Sequence, residues 1–423
     1  MDILVLGGGG REHAIIKQLR KNPQVDTIYA LPGNGGIAAD AVCQPIAAMD
    51  LDQIVNFAQL KQVDFAVVAP DDPLVAGLVD RLEAIGIPCF GPTQRAAMIE
   101  GSKSFAKRLM QKYHIPTAAF AVFDEQEAAL RYLAEQHCPI VIKADGLALG
   151  KGVIIAATQE DAQAAVIDMM SGQRFGKSGA RVVIEEFLTG PEVSVLAFCD
   201  GKTVRPMVSS MDHKRALDGD QGLNTGGMGT IAPNPYYTPE IAARCMAEIF
   251  QPTVDAMAAE GRPFCGCLYF GLMLTPDGPK VIEYNCRFGD PEAQVVLPLL
   301  ETDLLEIMFA CREGRLAEQP VSFRAEYACC LVVASGGYPQ QYRKGLPIEF
   351  GDIGDAIVYH AGTRATEYGL ETAGGRVLGL TCVASSLRGA IDAAYRAVEG
   401  VHFDGMYYRR DIGARALEAG GRG

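Results

Sequence analysis

Lys143-Ala144-Asp145-Gly146-Leu147-Ala148-Leu149-Gly150-Lys151-Gly152 is the stretch on which the reading of this chain turns. The apolar run Pro139-Ile140-Val141-Ile142 before it reads as a strand that delivers Lys143 directly. Three glycines in the last seven residues then let the backbone bend and carry a second lysine, Lys151, to the head of another strand, 152–156. Such a loop can fold over a polyphosphate, with backbone N–H donors and lysine charges meeting the oxygens. The plainer alternative is a glycine-rich hairpin with a solvated lysine.

Outward from this loop, a helix over 161–170 and a strand over 182–185 complete a compact α+β unit of strand pairs and helices. Upstream, 96–113 is helical and lysine-bearing. The first hundred residues alternate strands (3–6, 27–30, 65–69, 88–90) with helices (12–19, 75–85), and Gly or Pro stands at the strand exits. That alternation predicts a parallel, doubly wound sheet. Downstream, strands at 192–198, 203–208, 268–274 and 280–284 suit an antiparallel sheet, with Asp277-Gly278 as a turn. After a helix at 303–311, strands at 328–334, 356–360 and 377–384 and a helix at 387–398 form a small closing unit. The expected architecture is multidomain, α/β and α+β. It has a Rossmann-like parallel sheet over 1–100, a central unit over 101–322 with a covering subdomain at about 117–190, and a small α/β unit over 323–423.

Composition sets the class. Of 423 residues, 49% are hydrophobic and 21% charged, which excludes wholesale disorder. The formal charge of −13 argues against a nucleic-acid partner, because phosphate backbones select basic surfaces. It leaves anionic small molecules open. No run approaches the ~20 apolar residues of a membrane span. The start MDILVLGGGG lacks the basic and apolar regions of a signal peptide, so a cytoplasmic location is expected. The 12 cysteines lie mostly in apolar runs without a C-x-x-C pair, which suits reduced, buried thiols and speaks against zinc.

Two other glycine loops are weaker. Around Gly7–Gly10, G-x-G-x-x-G would need glycine where Glu12 or His13 stands, and the second strand ends in Tyr29-Ala30-Leu31 without an acid. That discounts a dinucleotide. A phosphate cradle built from Gly9, Gly10 and Arg11 at a helix N-terminus competes evenly with a tight strand-to-helix turn. Pro32-Gly33-Asn34-Gly35-Gly36 could close over the same ligand. Gly176-Lys177-Ser178 misses a Walker A spacing by one residue.

The longer strings carry a resemblance. Lys143-Ala144-Asp145-Gly146 with Val183-Ile184-Glu185-Glu186-Phe187-Leu188 resembles the nucleotide-binding core of ATP-grasp ligases. Asp212-His213-Lys214-Arg215, Asn224-Thr225-Gly226-Gly227-Met228-Gly229 and Ile282-Glu283-Tyr284-Asn285-Cys286-Arg287-Phe288-Gly289-Asp290-Pro291-Glu292 narrow it to the phosphoribosylamine–glycine ligases of purine biosynthesis. The resemblance spans essentially the whole chain. It implies an ATP-grasp fold for the central unit and ATP-dependent ligation of glycine to 5-phosphoribosylamine through a glycyl phosphate, in a monomer. Three positions depart from the family pattern: Asp71 replaces a usual Glu, Leu149 a smaller residue and Met211 a polar one.

The resemblance implies ATP contacts for Lys103, Lys143, Lys151, Glu185, Phe187, Leu188 and Glu192, although Gly101-Ser102-Lys103 could also be an ordinary helix start. Glu283 and Asn285, two apart on a predicted strand, share a face and suit Mg²⁺ or Mn²⁺. The preceding strand offers Tyr269-Phe270-Gly271-Leu272 without a carboxylate, so a second cation would be less completely held. Arg287 is expected to meet the glycine carboxylate or its acyl phosphate and Asp290 the ammonium, unless the two simply pair with each other. Lys214 is the third catalytic candidate. Asp212, His213, Arg215, Thr225 and Gly226, together with Gly9, Gly10, Arg11 and Asn34, form the expected substrate set, in which 213–215 reads as a cationic cluster or a solvated basic turn. A different ATP-grasp ligase and a silent nucleotide-binding regulator are the competing readings.

Overall fold

The computed structural model describes residues 1–147, 152–172 and 176–420. Lys151 and Leu149 lie outside the described residues. The N-terminal sheet is parallel, in the order Val42–Cys43, Thr27–Pro32, Asp2–Gly7, Phe65–Val68, Cys89–Phe90. Ile3, Leu4, Val5 and Leu6 are all fully buried, as expected of a strand covered on both faces. Gly7 leaves the sheet at φ +114, a backbone state open to glycine. The helix Gly10–Leu19 starts three residues later.

Two long predicted helices are each broken. Of the 75–85 stretch, Val75 ends the helix Asp71–Val75 and only Leu78–Ala84 forms the expected helix, the two being separated where Gly77 takes φ +85. The 96–113 stretch forms Gln94–Gly101 and Lys103–Lys112. Between them Ser102 is extended, and its hydroxyl accepts the Phe105 N–H at 3.2 Å as an N-cap. The cap explains the break.

The covering subdomain is an antiparallel sheet in the order Phe120–Phe123, Val182–Glu186, Ile140–Ala144, Val153–Ala156. Helices Gln126–Leu133 and Gln159–Met170 close its own apolar core. The strand Phe120–Phe123 and the helix Gln126–Leu133 add to the expected elements, and the helix buries Ala129 and Leu133, four residues apart, on one face. The central antiparallel sheet runs Val204–Pro206, Glu192–Asp200, Cys265–Thr275, Gly278–Asn285.

The closing sheet is the least expected element. Its order is Met211–Asp212, Gly229–Ala232, Tyr327–Ser335, Arg376–Ala384, Ile357–His360, with Met406–Tyr407 also pairing Tyr327–Ser335. Two of its strands come from the middle of the chain. Helix Leu387–Val398 packs on this sheet. No helix among the described residues is long and apolar enough to cross a membrane.

Candidate active site

The site lies where the strand Gly278–Asn285 ends. Glu283 pairs with Gly271 and Asn285 with Tyr269, so both side chains leave the same face. Burial would raise the Glu283 carboxyl, but Lys214, Lys143 and Lys103 outweigh it and hold the group below its usual range. Lys214 Nζ stands 3.4 Å from Glu283 and 3.6 Å from Glu192. Lys103 Nζ donates to the carbonyl of Gly146 at 2.9 Å. Asp145, at the start of the glycine loop, accepts the Ser104 N–H at 2.6 Å and so ties the loop to the N-terminus of helix Lys103–Lys112.

Lys143 points into a buried polar junction. Its Nζ donates to the carbonyl of Ile282 at 3.0 Å and lies 3.0 Å from Glu185. Lys107 reaches the same Glu185 oxygen at 2.9 Å and Thr117 Oγ1 at 2.8 Å. Burial pulls Lys107 down to about 8, against the pull of Glu185. The other oxygen of Glu185 is buried with no hydrogen-bonding partner among the described residues, so the carboxylate retains a demand for a donor. Phe187 and Leu188, part-buried, follow this strand directly, and Glu192 is exposed at the head of the next.

Arg287 and Asp290 do not pair with each other. Arg287 Nη2 lies 3.3 Å from Glu100 and 3.6 Å from Asp71. The shorter acid at position 71 therefore still reaches the guanidinium. Asp290 instead meets Arg376 Nη2 at 3.0 Å and accepts Gln294 Nε2 at 2.7 Å. Arg376 also donates to the carbonyls of Gly226 and Asp290, at 2.7 and 2.9 Å. A Cβ on Gly10 would sit 2.5 Å from Gln294 Nε2, so the first turn of the N-terminal helix closes directly on this loop. Arg11 donates to the carbonyl of Phe288 at 3.2 Å and pairs with Glu12 at 2.7 Å. The other Glu12 oxygen accepts the Gly9 N–H at 2.6 Å.

Several expected ligand groups are spent on the fold. The Asn34 amide donates to the carbonyls of Gly8 and His360 at 2.9 and 2.8 Å. Its oxygen accepts the N–H groups of Gly36 and Ile37 at 2.9 and 2.8 Å. The Thr225 hydroxyl donates to the carbonyl of Lys214 at 2.9 Å and accepts the Gly227 N–H at 3.0 Å. The Gly226 N–H donates to the Tyr338 hydroxyl at 3.2 Å.

The 213–215 stretch is not one cationic cluster. His213 is 1% exposed, and burial drives its pKa down to about 4. Its Nε2 accepts the Gly413 N–H at 3.2 Å, so Nδ1 carries the proton and faces the carbonyl of Gly229 at 3.1 Å. Arg215 turns to the carbonyl of Gly222 at 2.9 Å, inside its own hairpin Arg215–Leu217 and Gln221–Asn224. Lys214 alone faces Glu283. Asp212 accepts the His213 N–H at 2.7 Å, and burial with the nearby Glu292 raises its carboxyl.

Glu100, Lys107 and Arg376 were missed in the sequence. Glu100 lies on the buried face of helix Gln94–Gly101 with Ala96, Ala97 and Ile99. An acid on an otherwise apolar helical face was the available signal. Burial pushes its carboxyl up, while Arg287 and the Cys286 N–H favour the ionised form.

Family models cover most of the chain: the phosphoribosylglycinamide synthetase N domain matches residues 1–100, its ATP-grasp (A) domain 101–293 and its C domain 328–415. The chain is 48% identical to a phosphoribosylamine–glycine ligase of Allochromatium vinosum, with 99% of each chain covered. It is 47% identical to one from Vibrio cholerae at the same coverage. A crystal structure of phosphoribosylamine–glycine ligase from Thermotoga maritima superposes with a TM-score of 0.87 at 34% identity, covering 97% of this chain and 100% of that one. The biotin carboxylase domain of Hydrogenobacter thermophilus 2-oxoglutarate carboxylase shares the fold alone, with a TM-score of 0.75 at 17% identity, covering 96% of this chain and 91% of that one. A parallel N-terminal sheet, a lysine-lined seam closed by an antiparallel covering subdomain, and these matches along nearly the whole length agree: the chain belongs to the phosphoribosylglycinamide synthetase family, of ATP-grasp architecture.

Proposed function

We propose that this protein joins glycine to 5-phosphoribosylamine at the expense of ATP, giving glycinamide ribonucleotide, ADP and phosphate in purine biosynthesis. The observation that carries the reading is the meeting of Glu283, Asn285 and three lysines with the Arg287–Asp290 loop at one seam. A carboxylate has no leaving group, and a phosphoryl group from ATP supplies one. The amine of phosphoribosylamine then displaces phosphate from glycyl phosphate. The protein's part is positioning and charge neutralisation.

In this reading Lys143 and Lys103 neutralise the ATP phosphates, with Lys151 as a further candidate. Glu185, Phe187 and Leu188 line the adenine end, and Glu192 holds the ribose hydroxyls. Arg287 orients the glycine carboxylate beside the transferred phosphoryl group. Asp290 meets the ammonium end, and Lys214 steadies developing charge next to Glu283. Gly9, Gly10 and Arg11 cradle the phosphate of the sugar substrate at the N-terminus of helix Gly10–Leu19, and Asp212 completes the substrate set. ATP-grasp enzymes use ATP with Mg²⁺ or Mn²⁺. Glu283 and Asn285 fit such an ion, because an anionic oxygen and an amide oxygen on one strand face are hard donors that leave room for phosphates and water. An ion held by Glu283 and Asn285 would supply charge neutralisation for the phosphates of ATP. The substrate-binding, ATP-grasp and closing parts are assigned to 1–100, 101–322 and 323–423, in a cytoplasmic monomer without nucleic-acid or membrane partners.

The test is an ADP-release assay with and without glycine and freshly made phosphoribosylamine, run with glycine carrying oxygen-18 in its carboxylate. ADP release is expected to need both substrates, and one labelled oxygen should enter inorganic phosphate per turnover. Unlabelled phosphate from complete turnover overturns the glycyl phosphate route, and glycine-independent ADP release overturns the ligase reading.

A further inference from the structure

We propose that Glu100 is a positioning residue that decides which atom of Asn285 is offered to the cation. The inference rests on the assignment of Glu283 and Asn285 to the metal. Glu100 is 7% exposed and grips three consecutive residues from a helix far away in sequence. Its Oε1 accepts Asn285 Nδ2 at 2.8 Å and lies 3.3 Å from Arg287 Nη2. Its Oε2 accepts the Cys286 N–H at 2.7 Å.

An amide side chain is nearly symmetric in shape, and only its oxygen can ligate a cation. Left alone, Asn285 could turn either its oxygen or its NH₂ toward the face it shares with Glu283. Both Glu100 oxygens act as acceptors here, one toward Asn285 Nδ2 and the other toward the Cys286 N–H, so Glu100 selects the rotamer in which the NH₂ faces it. The Asn285 oxygen, which accepts no hydrogen bond from the described residues, is then turned away from Glu100. The same carboxylate fixes the peptide N–H of Cys286 and the guanidinium of Arg287. One acid thus sets the cation ligand and the carboxylate-orienting group relative to each other. Partners behind metal ligands of this kind are typically worth about 10–100-fold in metal affinity.

The test measures Mn²⁺ binding to the full-length protein in the presence of ADP, from the electron paramagnetic resonance signal of free Mn²⁺, without turnover. Thermal unfolding of each variant is followed in parallel. Glu100→Gln should weaken Mn²⁺ binding about 10–100-fold. The exchanged pair Glu100→Gln with Asn285→Asp reverses the hydrogen bond, with the new amide donating to the new carboxylate, and should restore most of the affinity. A folded Glu100→Gln protein that binds Mn²⁺ within about threefold of wild type overturns the proposal, since it lies below the range such partners give. So does a folded exchanged pair that binds no better than Glu100→Gln or, if that variant does not fold, about tenfold or more below wild type. Glu283→Gln separates the layers. If it leaves Mn²⁺ affinity unchanged, the metal assignment and this proposal fall together; if it abolishes binding while Glu100→Gln does not, only the positioning role falls.

Discussion

Residues 213–215 and 285–290 are both short polar strings, and the fold treats them in opposite ways. The first sits between two short strands, and its three side chains go to three destinations: a buried backbone pocket, Glu283 and a hairpin carbonyl. The second leaves the end of a strand and bends around a buried acid, so Asn285, Cys286 and Arg287 meet at Glu100. Adjacent polar groups in a sequence therefore gather only where one partner, here Glu100, reaches several of them.

The comparison yields its sharpest test at Glu283. Glu283→Gln keeps the volume and removes the charge that three lysines face; turnover should fall about 10²–10³-fold. Thermal unfolding should move by less than about 3 °C. A matching collapse of stability and activity would recast Glu283 as structural. Lys214→Met comes next, with a turnover loss of about 10–100-fold, or ~1.4–2.7 kcal/mol in the barrier. Lys214 is the foremost of the lysines that hold the Glu283 carboxyl down. Its removal should therefore shift the acid limb of the pH–rate profile to higher pH. An unmoved acid limb would disconnect 213–215 from the site altogether.

His213→Asn should act on stability rather than rate. It keeps a donor for the Gly229 carbonyl and abandons the Gly413 N–H, at a cost of about 1–3 kcal/mol. In the native protein His213 titrates near 4 rather than near its ordinary 6.5. Between those values the unfolded chain binds the extra proton, so this residue's stabilisation is complete above about 6.5 and is lost as pH falls toward 4. The variant should lack about one proton of that dependence when unfolding free energy is followed from pH 7 to 4.5. An unchanged slope would place the histidine in water. Smallest of all, Arg215→Ala should change stability by less than about 0.5 kcal/mol. A large rise in substrate KM would instead return Arg215 to the substrate set and restore the reading of 213–215 as one cluster.

The parallel sheet was legible because 3–6 and 65–68 are continuous apolar runs that only a doubly covered strand uses. The ligand strings were legible as strings, through the family they resemble. Their internal wiring was not. Glu100 and Asn285 are 185 residues apart, and no local period links an acid on one helix to an amide at a strand end. The helix start at Ser102 was legible only as one of two readings of Gly101-Ser102-Lys103, since a serine in a helical run reads equally well as an exposed residue or as a cap. The 211–232 region defeated the reading for a third reason: its strands are two to four residues long, and the one that joins it to the closing sheet, Gly229–Ala232, finds its partner about a hundred residues downstream.

That borrowed pairing constrains how such a chain can be cut or fused. Gly229–Ala232 is fully buried between Met211–Asp212 and Tyr327–Ser335. A polypeptide ended at 322 would bare one whole edge of that strand, a ready template for another chain. Excising the last hundred residues should thus yield aggregates rather than a smaller soluble enzyme. In any multienzyme fusion the three segments must be inherited as one cassette.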